Sequence, residues 1–213
     1  MSYTLGGRLD GASIRPGTNV LVTGPPLTGK RRLGREILRH GMAAGEGSIV
    51  ISTHDSAERV EEVFAAANGT DDDLLGIVDC VTRHVGRSPT DTDRVRYASS
   101  PTDMTGIGIK FAESIEYFQC EHGVEHNRVL LNSVTTLLQY TSLQTVFRFL
   151  HALTTRIEEV DAIGVAIVES TVHDEEAMGT IRELFDGVVE TDLDGSLSVD
   201  LPATDGDDGI RGS

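Results

Sequence analysis

Between the apolar run Val20-Leu21-Val22 and a stretch of helical periodicity lies Gly24-Pro25-Pro26-Leu27-Thr28-Gly29-Lys30. A glycine, four residues, a second glycine and a lysine form the G-x-x-x-x-G-K pattern of a loop that cradles phosphate. The physical basis is the strand-to-helix turn, where unpaired backbone N–H groups at a helix start present positive potential to an anion. Gly24 and Gly29 permit the backbone path, Pro25, Pro26, Leu27 and Thr28 make the turn, and Lys30 adds a point charge toward the β- and γ-phosphates. The pattern ends in Ser or Thr, whose hydroxyl ligates magnesium, but here the next residue is Arg31. These residues predict a site equipped to hold phosphate and poorly equipped to hold its metal.

Alternating strands and helices must position such a loop. The sequence predicts strands over 19–23, 48–52, 74–81 and 163–168, with another opening at Val129-Leu130-Leu131. Helices are expected over 30–44, 57–67, from Ser100-Pro101-Thr102-Asp103 through Cys120, over 142–159 and over 175–184. Residues 188–191 and 197–201 read as a terminal hairpin turning at Asp194-Gly195. Segment 83–101, rich in Pro, Asp, Ser and Thr, reads as an irregular insertion with a short strand at best. The alternation implies a mostly parallel sheet covered by helices on both faces.

Other chemistry-bearing residues are weaker candidates. Asp174-Glu175-Glu176 complements a helix dipole without needing a metal. His122 and His126 are four apart, but Gly123 interrupts the helix between them, so a solvated turn is expected in place of a metal site. Ser133 lacks a nucleophile-elbow pattern. Cys80 and Cys120 have no Cys-x-x-Cys partner and read as structural thiols of a reducing compartment. No metal site is expected.

The chain has 213 residues, 38% of them hydrophobic, enough for one core, and 34 acids against 18 Lys plus Arg give a net charge of -16. Only Lys30 and Lys110 are lysines, and Trp is absent. This composition is similar to that of proteins from extreme halophiles, whose salty cytoplasm screens an acidic surface, and it implies a halophilic archaeal source. It argues against nucleic-acid binding, which needs clustered cations. Arg83, Arg87, Arg94 and Arg96 cluster, but among Asp79, Asp91 and Asp93, which reads as a solvated loop. No apolar run approaches the ~20 residues that span a bilayer, and no signal-peptide pattern is present, so a cytoplasmic protein with no membrane partner is expected.

Ile14-Arg15-Pro16-Gly17 ahead of the loop, the segment Arg128 to Leu137 and the segment Leu184 to Glu190 together resemble the KaiC/RecA-like P-loop ATPases. The likeness covers about residues 5–201. It implies a RecA-like three-layer α/β sandwich with a mostly parallel central sheet and a C-terminal antiparallel hairpin. Residues 1–203 would form one domain and 204–213 a disordered acidic tail. The resemblance places Asn132 where the family carries the Walker B aspartate that orients hydrated magnesium. It places His54 and Asp55 where adjacent glutamates activate or position water. His54 could act as base and Asp55 could orient water, although a ~1 Å misplacement can cost about 100-fold in rate; the other reading is a helix start capped by Asp55 or Ser56. ATP or ADP is the implied ligand, with magnesium doubtful. The expected function is nucleotide binding in a regulatory or assembly role with weak or no hydrolysis. The alternatives are a slow ATPase, with Thr28 or Ser133 helping to hold magnesium, and an interaction domain that binds no nucleotide. The resemblance also implies a homo-oligomer, or a hetero-oligomer with an intact RecA/KaiC-like ATPase.

Overall fold

The computed structural model describes residues 2–66 and 72–202. The expected acidic tail and Ala67, the last residue of one expected helix, lie outside that range. An eight-stranded sheet forms the central layer. Its first strand, β3 (Asn19–Gly24), is buried along its whole length, as the continuous apolar run requires of a strand covered on both faces.

Two elements precede it that the sequence reading did not anticipate. Strands β1 (Tyr3–Gly6) and β2 (Leu9–Ile14) pair antiparallel in a small separate sheet. Tyr3, Leu5, Leu9 and Ile14 point inward and join the core. The chain then continues through α1 (Lys30–Ala43), β4 (Gly47–Ser52), α2 (Ala57–Ala65), β5 (Leu75–Asp79), β6 (Val95–Tyr97), α3 (Met104–Glu121) and β7 (Asn127–Leu131). It ends with α4 (Val134–Tyr140), α5 (Leu143–Glu159), β8 (Ile163–Glu169), α6 (Glu175–Arg182) and the hairpin β9 (Gly187–Thr191) and β10 (Leu197–Asp200). Helix α4 is a second correction. It is short, with β-branched Thr135 and Thr136, and the apolar run before it conceals its start, yet Ser133 caps it by accepting from Thr136 N at 3.0 Å.

Across the sheet the order is β10-β9-β3-β8-β7-β4-β5-β6, parallel except for β10. Helices α1 and α2 and the β1–β2 hairpin cover one face, while α3, α4, α5 and α6 cover the other. Helix α5 shows why: Val146, Leu150, Leu153 and Ile157 recur at helical spacing and are buried, and Ser142 caps its start. The expected sandwich with a terminal antiparallel hairpin is the observed fold.

Arg128 on β7 is fully buried beneath α1. Its Nε donates to Glu46 Oε2 at 2.6 Å and its Nη1 to Ile37 O at 2.9 Å, and its guanidinium lies 5.6 Å from the centre of the Tyr3 ring. Gly41 makes room for it, because a methyl at that position of α1 would overlap the guanidinium stem. Helix α1 is thereby fixed on the sheet at its C-terminal end, far from the loop it carries at its start.

The insertion after β5 contains the expected short strand, β6, and is largely exposed over 84–93, but ion pairs tie it to the body. Arg83 donates to Tyr97 O at 2.6 Å and pairs with Asp91 at 3.1 Å, Lys110 on α3 pairs with the same Asp91 at 2.9 Å, and Arg96 pairs with Glu113 at 3.4 Å. Cys80 is buried, and its thiol is pushed up by burial and then by Asp79 and Asp103, as suits a structural thiol. Cys120 instead faces solvent on the outer side of α3, so the structural reading holds for only one of the two.

Candidate phosphate-binding site

The turn after β3 combines an open helix start, which favours an anion, with two backbone positions held in unusual conformations. Helix α1 begins after Gly29, which is left-handed at φ 88°, and no side chain caps it, so its first-turn N–H groups are open to a ligand. Leu27, at the tip, is also left-handed at φ 65° and is fully exposed; a leucine in this conformation is a local backbone strain of the kind concentrated at binding loops. Gly24, at φ 148°, lies against β9, where Thr191 leaves no room for a β-carbon.

Lys30 is almost wholly buried. Its ammonium folds back to donate to Pro25 O and to Thr28 Oγ1, the latter at 3.3 Å. Burial lowers its pKa, Glu169 opposes that shift, and Arg31 adds to it. Pro26, Leu27, Gly29, Lys30 and Arg31 line a cleft of about 440 Å³ together with Arg35, Ser133 and Glu169. Gly24 and Pro25 face a second cleft of about 330 Å³ toward the β9–β10 hairpin, shared with Thr191 and Asp192.

The hydroxyls that would have to ligand magnesium are already committed. Thr28 Oγ1 donates to Pro25 O at 2.9 Å and, its one hydrogen so used, accepts from Thr191 Oγ1 at 2.5 Å. Ser133 Oγ accepts from the N–H and the hydroxyl of Thr136. Asn132 is equally occupied: its Oδ1 accepts from Thr53 N at 3.0 Å and from Thr53 Oγ1 at 3.4 Å, and its Nδ2 donates to Ser52 Oγ at 3.0 Å. This amide laces the end of β7 to the loop after β4. Thr28, Asn132 and Ser133 do not fit a magnesium-binding role, and no cluster of three metal-ligating side chains occurs among the described residues.

This lacing yields a prediction. Ser52 Oγ already donates to Asp55 O at 2.5 Å, so Asn132→Asp would keep the Thr53 donors on one oxygen but turn the other, where Nδ2 now donates, against an acceptor. The variant is expected to lose about 1–2 kcal/mol in chemical denaturation, the cost of a buried unmet hydrogen bond, and to gain no magnesium-dependent stabilisation. An Asn132→Asp protein stabilised by magnesium would refute this assignment.

The two residues considered for water chemistry are separated by the structure. His54 is exposed and points to no partner among the described residues, whereas Asp55 lines a small recess with Arg31, Arg35, Arg59 and Asn132. Neither caps α2; Ser56 does, accepting from Arg59 N at 3.4 Å. Sequence reasoning missed Glu169, Arg35 and Arg8. Glu169 ends β8 at the same level as Gly24, and that adjacency requires knowing that β8 lies beside β3. Arg35 was readable, since Arg31, Arg35 and Arg39 recur every four residues on α1 and make a denser basic row than the cluster near residue 90. Arg8, in the β1–β2 turn, reaches past Gly29 to donate to Gly195 O. Nearby, His173 Nε2 lies 3.2 Å from Thr135 Oγ1, which also accepts from Glu169 N, and burial shifts this imidazole toward its neutral form.

In this mostly parallel sheet β3, which leads into loop 24–30, and β7, which is followed by Asn132, flank β8, and the fold is RecA/KaiC-like α/β. Among solved structures, the chain is similar to the KaiC-like protein PH0186 from the hyperthermophilic archaeon Pyrococcus horikoshii OT3, with 17% identity, 83% of this chain and 72% of that chain covered, and a TM-score of 0.55. The model of DUF7504, a family of unknown function, matches residues 17–191, and the chain belongs to that family. No curated protein matches it. None of the described helices is long and apolar enough to cross a membrane.

Proposed function

We propose that this protein binds a nucleotide, ATP or ADP, through the loop 24–30 and acts as a regulatory or assembly subunit, a pseudoenzyme with weak or no hydrolysis. The observation that carries the reading is the uncapped start of α1 beside Lys30 and an open cleft, combined with a Thr28, Asn132 and Ser133 whose polar atoms are taken up internally. Catalysis of phosphoryl transfer rests on positioned charge, and the metal-holding part is the one this site lacks. Residues 1–203 act as one domain in this proposal. Its partner is a second copy or a related ATPase with intact motifs, which would supply the missing chemistry across an interface. The acid-rich, lysine-poor surface fits work in a salty cytoplasm and gives nucleic acid little to hold.

Titration calorimetry with ATP and ADP in concentrated KCl tests the binding. Lys30→Ala is expected to weaken ATP by at least 30-fold, the scale for losing one buried charged contact to phosphate. Phosphate release by the wild-type chain should stay near background. Turnover that depends on Lys30 would overturn the pseudoenzyme reading. If neither nucleotide binds nor raises the melting temperature at millimolar concentration, the protein is an interaction domain that has kept only the fold.

A further inference from the structure

We infer that the nucleotide's phosphate chain is bound without a divalent cation, with Arg31 and Arg35 supplying the positive charge that magnesium supplies elsewhere. The inference rests on the nucleotide reading above and concerns the form of the ligand. Lys30, Arg31, Arg32 and Arg35 line the loop cleft, and the carboxylate facing them there is Glu169. Four cations against one acid is a reversal of the whole chain's balance of 18 to 34.

Arg32 is engaged with Glu36 at 2.7 Å, but the guanidiniums of Arg31 and Arg35 make no hydrogen bond or ion pair among the described residues. Both are half-buried. Arg35 is held against its ordinary charged state by burial and by Arg39 and Arg31, with Asp55 and Glu36 opposing. Two half-buried guanidiniums one helical turn apart, with no hydrogen bond or ion pair among the described residues, favour an anion beside them.

Their position decides which anion. Arg31 follows Lys30 directly, and Arg35 lies one turn further along α1; both line the loop cleft and also the recess lined by Asp55 and Asn132. A chain of phosphates entering at the α1 amides would meet Lys30, then Arg31, then Arg35. A guanidinium fork matches phosphate oxygens in paired hydrogen bonds, and an anion beside Arg35 would offset the burial and like charges acting on it. A divalent cation on the same oxygens would sit beside Arg31 and repel it, with no free hydroxyl or amide from Thr28, Ser133 or Asn132 to hold it. Free triphosphate is therefore preferred over its magnesium complex, and longer phosphate chains over shorter ones.

The test is titration calorimetry on the full chain at one fixed KCl concentration, with ATP, ADP, AMP and inorganic tripolyphosphate, each in EDTA and in excess magnesium chloride. The expected result is ATP binding at least tenfold tighter in EDTA than in magnesium, in the order ATP, ADP, AMP. Tripolyphosphate that competes with ATP would place recognition in the phosphate chain, and ATP binding without such competition would overturn the charge-row assignment. Arg31→Ser is expected to reverse the preference for EDTA, and Arg35→Gln to weaken ATP more than ADP, with circular dichroism melts to show that both variants fold. Binding that is equal or tighter with magnesium overturns this inference and leaves the nucleotide reading standing. Absence of binding by any of the four ligands in both conditions overturns the two together.

Discussion

Gly24→Ala is expected to destabilise the protein by about 4 kcal/mol, the sum of a strained backbone and an overpacked contact. At φ 148° a side chain is strained whatever the surrounding space, and here there is none. The new methyl would overlap both the carbonyl oxygen and the hydroxyl of Thr191. The carbonyl belongs to β9, which pairs with β3 over Val20 to Thr23, so relief requires moving a strand and not merely a rotamer. The hydroxyl is the one Thr28 uses at 2.5 Å to anchor the loop. Loss of stability is readable as a lower urea midpoint, and under the proposed function it should come with loss of the nucleotide-induced shift in melting temperature. A variant within 1 kcal/mol of wild type would show that the β3–β9 contact is loose. Against a typical domain stability of roughly 5–15 kcal/mol, the predicted cost is a large fraction.

Arg128→Leu should be about as costly, near 4 kcal/mol, for a different reason. Removing one member of a buried ion pair leaves the other without compensation, and such losses run about 3–5 kcal/mol. Leucine cannot donate to Glu46 or to Ile37 O, nor stack over Tyr3. Glu46 retains some access to water, so Glu46→Gln is expected to cost less, about 2 kcal/mol. The double variant Glu46→Leu/Arg128→Leu should recover much of the loss, because replacing a whole buried pair by apolar groups is often neutral. A double-mutant cycle by urea denaturation measures the coupling directly. Additive single losses would show that the two charges do not depend on one another.

The sheet strands were legible because their apolar runs are punctuated by glycine, proline and polar turns. The loop was legible because its glycines and lysine have fixed spacing. The β1–β2 hairpin escaped because four to six residues carry too little periodicity, and its apolar residues look scattered until paired. At the site, the substitutions Arg31 and Asn132 could be read as departures from a motif, but not what they do. Asn132 bonds to Thr53 and Ser52 about eighty residues away, across a β4–β7 pairing that no local pattern announces. Glu169 entered the cleft for the same reason, since strand order and not sequence order makes it a neighbour of Gly24.

The contact from Arg8 to Gly195 O has a consequence for how the protein should be cut. The DUF7504 match spans residues 17–191 and so omits both the hairpin carrying Arg8 and the turn carrying Gly195. Those two pieces meet beside the phosphate loop like the halves of a clasp, one from each end of the chain. A fragment trimmed to the family boundaries would lose Tyr3, Leu5, Leu9 and Ile14 from the core under α1 and unfasten the rim of the loop at once. The family-matched centre of the chain is thus not the whole folded unit, because the turn after β3 is fastened by two segments that a boundary-drawn fragment would discard.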